Sequence, residues 1–152
     1  MAHEIRTVGD GWTGFTQTLA SLTNASARQS TIVTNTNNRP AALILYKLES
    51  GGTGPTAGTL YEIFLIRGNG TQRTDNAGAS DAAITVLNAQ LIGTLQLTNN
   101  ANTFFTDEFD TAPLGKLGTE FGTIVRNSSG QTMNATENNH IKNYNLYLPS
   151  VQ

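Results

Sequence analysis

The sequence predicts an all-β protein, a two-sheet antiparallel sandwich of jelly-roll type with about eight to nine strands. Three observations carry this. First, the 152 residues include 23 Thr, 16 Asn and 15 Gly. Thr is β-branched and suits a pleated surface, while Asn and Gly supply tight turns. Second, no stretch repeats apolar residues at i, i+3, i+4 and i+7 over three turns, as a surface helix requires. Third, short apolar runs recur at roughly 8–12-residue spacing between turn signals.

The elements follow in order. Residues 1–14 are Gly-rich, carry the only tryptophan, Trp12, and read as an N-terminal arm. Residues 15–152 then form one sandwich domain, with no linker, charge block or repeat to divide it. Phe15 to Leu22 is predicted as a first strand, with Phe15 and Leu19 inward, and Arg28 to Thr36 as a second. Asn35 to Pro40 is a turn, since Asn tolerates the left-handed region and Pro presets φ. Ala41 to Leu48 and Leu60 to Arg67 are apolar almost throughout, which predicts central strands covered on both faces. They read as a hairpin around a flexible Gly-rich tip, Gly51 to Gly58.

A polar loop spans residues 71–82. Leu87 to Thr98 alternates, with Leu91, Gly93, Leu95 and Leu97 on one face of a half-buried strand. Thr103 to Phe109 is expected to pair back across the Asn99–Asn102 turn. Phe121 to Arg126 is expected to pair with Gln131 to Thr136 around the turn at Asn127–Gly130. Asn139 to Leu148 is the last strand, with Tyr144, Leu146 and Leu148 inward and Pro149 ending it.

Composition narrows the function. There is no cysteine, so disulfides and thiolate metal sites are excluded. Charged residues are 13% of the chain, against a usual value of about 25%. The net charge of −2 argues against nucleic acid and against anionic membranes as partners. No apolar run approaches the roughly 18 residues of a membrane span. The first residues lack the apolar stretch of a signal peptide, so synthesis in the cytoplasm is expected.

The residues show no catalytic constellation, and neither enzyme activity nor a cofactor is expected. The two histidines, His3 and His140, are far apart; His140 reads as a satisfied turn residue. Asp107, Glu108 and Asp110 lack the spacing of a calcium loop and read as a solvated strand end. Glu62, Glu108, Glu120 and Glu137 are not paired by any pattern that glycoside hydrolysis would need. Gly51-Gly52-Thr53-Gly54 lies between strands and lacks the Lys of a phosphate-binding loop. The alternative of sugar binding would draw on Trp12 and on the Asn-rich turns at Asn35–Asn38 and Asn99–Asn102. Their simpler roles are edge packing and turn formation.

Three segments carry a family resemblance: Thr18 to Leu22 followed by Ala27 to Ser30, the strand pair around Gly51 to Thr56, and Ala135 to His140. In that order they resemble small jelly-roll virion structural proteins of tailed bacteriophages. The resemblance implies a capsid decoration (cement) protein on the capsid exterior, made in the host cytoplasm. Its partner would be the major capsid protein, and it would bind as a homo-oligomer, dimer or trimer. The contacts expected are the arm with Trp12, Phe15 just after it, and the tip, with Gly54, Pro55 and Thr56. The alternative is a tail or baseplate component, or a glycan-binding receptor module, on the same sandwich.

Overall fold

A computed structural model describes residues 5–151. The strands are β1 (Ile5–Gly9), β2 (Thr13–Gly14), β3 (Ala27–Gln29), β4 (Val33–Thr34), β5 (Ala41–Glu49) and β6 (Leu60–Gly68). After them come β7 (Ala82–Ala83), β8 (Gln90–Gln96), β9 (Phe104–Asp110), β10 (Glu120–Ser128) and β11 (Ile141–Val151). They form two antiparallel sheets packed as a sandwich. The five-stranded sheet runs β1-β11-β5-β9, with β2 also on β11. The six-stranded sheet runs β7-β3-β10-β6-β8, with β4 also on β10. Leaving aside the two-residue strands, this is the order of an eight-stranded jelly roll.

The interior is built by alternation. Ile44, Tyr46 and Leu48 of β5 face Tyr61, Ile63 and Leu65 of β6 across the core, all of them buried. Phe121 and Val125 of β10, Leu95 of β8 and Leu146 of β11 complete it. Phe15, Phe121 and Tyr144 stack at one end, with ring centroids 4.7–6.0 Å apart.

β5 and β6 do not form the expected hairpin. They lie in opposite sheets, and residues 50–59 cross between them. β5 pairs with β9 and β11, and β6 with β8 and β10. Thr103–Phe109 likewise does not pair with the preceding strand, because β8 and β9 sit in different sheets. The Gly51–Gly58 segment is also no free tip. Its backbone bonds to residues 97, 102 and 129, and a Cβ at Gly51 or Gly54 would strike the Thr132 or Asn99 carbonyl.

Five further expectations are corrected. Phe15–Leu22 is irregular rather than a strand, although Phe15 and Leu19 are buried as expected. The Arg28–Thr36 strand is split into β3 and β4 by one extra residue relative to β10. There Ser30 binds both ways across to Thr123: its N–H donates to the Thr123 carbonyl, and its hydroxyl oxygen accepts from the Thr123 N–H. Gln131–Thr136 is not a strand, and only Met133 bridges, to Ser50. Finally, β11 continues past Pro149. The Leu146 carbonyl accepts from Asp10, so even-numbered residues of β11 bond toward β1. Pro149 therefore points its missing N–H toward the side that β5 vacates beyond Ala41. Leu148, past the end of the core, is exposed rather than inward.

Residues 5–14 lie along β11 as an edge strand. One extra residue between Gly9 and Thr13 makes a bulge, with Gly11 at φ +94° and its N–H on Asn145.

The two outer faces differ. Residues 69–89 fold over the six-stranded sheet, where Phe64, Ile66 and Ile124 are buried against Ala77, Ile84, Val86 and Ala89. β6 is therefore covered on both faces, as expected. Asp75 holds this cover by accepting three N–H groups, from Leu87, Asn88 and Ala89. β5 is not covered in the same way. The outward Leu43 and Leu45 are only half-buried.

Candidate functional site

Several ionisable side chains hold loops, and others tie neighbouring strands. Glu137 Oε2 accepts the N–H groups of Leu19 and Ala20 at 2.8 and 2.7 Å, and Oε1 pairs with Lys142. Burial opposes its charge, but these bonds win and hold the carboxyl below its usual range. Asp81 serves Thr18 and Arg28 in the same manner. These carboxylates help Phe15–Leu22 do without strand pairing: they accept the N–H groups of Thr18, Leu19 and Ala20, while those of Phe15, Ser21 and Leu22 go to backbone carbonyls. Glu62 forks onto Arg126 at 2.6–2.7 Å, and Glu120 onto Arg73 at 2.9–3.2 Å.

His140 is buried. Its Nδ1 accepts from the Glu49 N–H at 3.3 Å, so the ring proton sits on Nε2 and donates to the Asn134 carbonyl at 3.0 Å. Burial lowers its pKa, and the ring is a neutral clamp. His3 lies outside the described residues. Asp107 and Glu108 are exposed on β9, while Asp110 accepts from Tyr147 Oη at 2.6 Å. Among the described residues, no three His, Cys, Asp or Glu side chains are grouped to hold a metal.

One polar chain crosses the core. Gln17 Nε2 donates to the Arg28 carbonyl at 2.7 Å, which turns Oε1 toward Tyr46. Tyr46 gives its single proton to that Oε1 at 2.8 Å, so the Thr123 hydroxyl is the donor at 2.6 Å. Every member is partnered, and burial pushes the Tyr46 phenol well above its ordinary pKa. Such a chain fixes how the two sheets register; it presents nothing to a substrate.

The five contact residues read from the sequence fall apart into three settings. Trp12 is exposed at the bulge between β1 and β2. Phe15 is in the core. Gly54 and Pro55 are packed into the crossing loop, and Thr56 next to them is exposed. The Asn clusters act as turn formers: Asn35 bonds Arg39 twice and the Gly118 carbonyl, and Asn127 closes the 127–131 turn.

Sequence reasoning missed one candidate surface, the outer face of the five-stranded sheet. Ile141 of β11, Leu43 and Leu45 of β5 and Phe104 of β9 lie on it, with Lys47 Nζ 4.3 Å from the Phe104 ring centroid. Ile141 and Phe104 are 40% and 45% exposed. The signal was present in the near-continuous apolar run 41–48, whose outward half was assigned to a covering layer. Beside this face run two edge strands, β8 and β9, each with one neighbour among the described residues, and β9 carries the exposed Asp107, Glu108 and Asp110. The described sequence of β8, Gln90–Gln96, carries neither charge nor proline.

No protein-family model matches this chain, and no curated protein matches its sequence.

Proposed function

We propose that this chain is a virion structural protein of a bacteriophage, a decoration protein that adheres to the outer capsid surface and stabilises the shell. The observation that carries the reading is the outer face of the five-stranded sheet. Its middle carries the apolar Leu43, Leu45, Ile141 and Phe104, with Lys47, Glu108 and Asp110 around them, and no loop covers it among the described residues, while the opposite face is covered by the chain's own 69–89 loop. Apolar side chains left in water favour a covering partner, and the charged residues around them would set which partner surface fits. Jelly rolls recur in capsid proteins, and the sequence resemblance points the same way.

The mechanism is adhesion. A protein that binds the assembled lattice, and not its separated subunits, stabilises the lattice by mass action. A contact of about 1,200–2,000 Å² in total is the ordinary size for such binding. Trp12, exposed at the sheet edge, is the residue type that most often anchors an interface. The uncharged edge of β8 suits pairing between copies, as dimer or trimer, which removes an aggregation hazard.

The test is the copy number per purified virion, by quantitative mass spectrometry. Tens to hundreds of copies, released without loss of the shell, are expected. A handful of copies would move the protein to the tail or baseplate, and its absence from virions would overturn the proposal.

A further inference from the structure

One arginine stands apart. Among the described side chains, Arg28, Arg39, Arg73 and Arg126 each have a carboxylate partner. Arg67, at the end of β6, has none. Its Nη1 donates to Gln90 Oε1 at 2.8 Å and its Nη2 to the Leu114 carbonyl at 2.7 Å, both neutral acceptors. Its Nε is buried without a partner. A guanidinium with no counter-charge and an unmet donor is expensive, and such a group calls for an explanation.

Arg67 lines a cleft of about 380 Å³ where the 111–119 loop folds past the end of β6. Lys116, exposed and without a carboxylate partner among the described residues, stands on its rim, and the amides of Asn69 and Gln72 complete it. The third cation there, Arg73, is neutralised by Glu120. A second recess of about 520 Å³ shares Lys116 and Gly118 with the first and is lined by Pro40 and the exposed Leu148. A cationic recess and an apolar one thus adjoin at one end of the sandwich. Low-dielectric walls focus the field of two unpaired cations on an incoming anion.

We propose that this double cleft binds an acidic segment of a partner polypeptide, its carboxylate between Arg67 and Lys116 and its neighbouring apolar side chain against Pro40 and Leu148. The inference rests on the reading of the chain as an adhesive protein, and it names the chemistry of one contact. A peptide is favoured over an acidic saccharide because the apolar recess is aliphatic, and neither recess is lined by an aromatic ring.

The test uses the isolated protein, so it stands apart from the virion count. The probe N-acetyl-Glu-Leu-amide is titrated while the backbone amide signals of Gly68 and Gly118 are followed by NMR. Saturable shifts at millimolar concentration are expected, weakening with added salt. The Gln-Leu analogue, and the K116Q and R67Q variants, should each bind about fivefold or more weakly. K116Q changes an exposed side chain, so it keeps the test valid if R67Q fails to fold. Absence of saturable shifts, or shifts unchanged in K116Q, would overturn the site. Glucuronate binding as tightly as the peptide would overturn the polypeptide assignment.

Discussion

Gly93 shows how one residue closes the open side of the sandwich. A Cβ there would lie 2.1 Å from the Phe109 ring, which comes from β9 in the other sheet. The ring therefore lies directly on the β8 backbone and joins the two edges. One residue away, Ile92 is the extra residue of a bulge against Ile63 and Phe64. That bulge spoils the simple alternation: Leu95 and Leu97 go inward, but Leu91 emerges opposite Phe64, 46% exposed. Replacing Gly93 with Ala should cost about 1–3 kcal/mol through overpacking. The midpoint of thermal unfolding should fall by about 2–4 °C for each kcal/mol. Adding F109L should return part of the loss, because the two positions touch. An unchanged midpoint in G93A would contradict the packing described.

At the scale of the element, loops here are held by single polar side chains instead of strand pairing. His140 ties the 134–140 segment to the end of β5, and Glu137 ties Phe15–Leu22 to the same region. Both have a pH signature. The His140 pKa is lowered from 6.5 in the folded chain, chiefly by burial. Below about pH 6.5 the unfolded chain binds a proton that the folded chain refuses, so stability is full above that value and falls as pH drops through it. Glu62, Asp81, Glu120 and Glu137 have lowered pKa values too, so their contribution is lost only at more acid pH, below the ordinary carboxylate range. Urea midpoints measured between about pH 5 and 7 should therefore slope in the native protein and flatten in H140Q. An equal slope in both would remove His140 as the cause. These ties also mark the limit of sequence reading. His140 was legible as a satisfied residue, but Glu137 reaching back 117 residues to Ala20 leaves no local pattern. Phe15–Leu22 therefore looked like a strand.

For the whole molecule, the class was legible and the pairing was not. Apolar alternation and turn residues mark where strands run, and they do so for β5, β6, β10 and β11. A jelly roll, however, pairs strands distant in sequence: β5 with β11, β6 with β10. Neighbours in the chain that looked like hairpins cross between sheets instead. The surface was half legible. Trp12 is exposed, but Phe15 and Pro55 went to the interior, and the outer face of the five-stranded sheet was mistaken for buried. That face is the part of the molecule on which the functional reading depends. A matched pair of variants tests it, scored by occupancy on particles of the encoding virus after confirming native far-UV circular dichroism. L45E places a charge in the middle of the bare face, and T85E places one on the exposed cover of the opposite sheet. The account predicts that L45E loses binding by tenfold or more while T85E binds as the native protein does; full occupancy by L45E would contradict it.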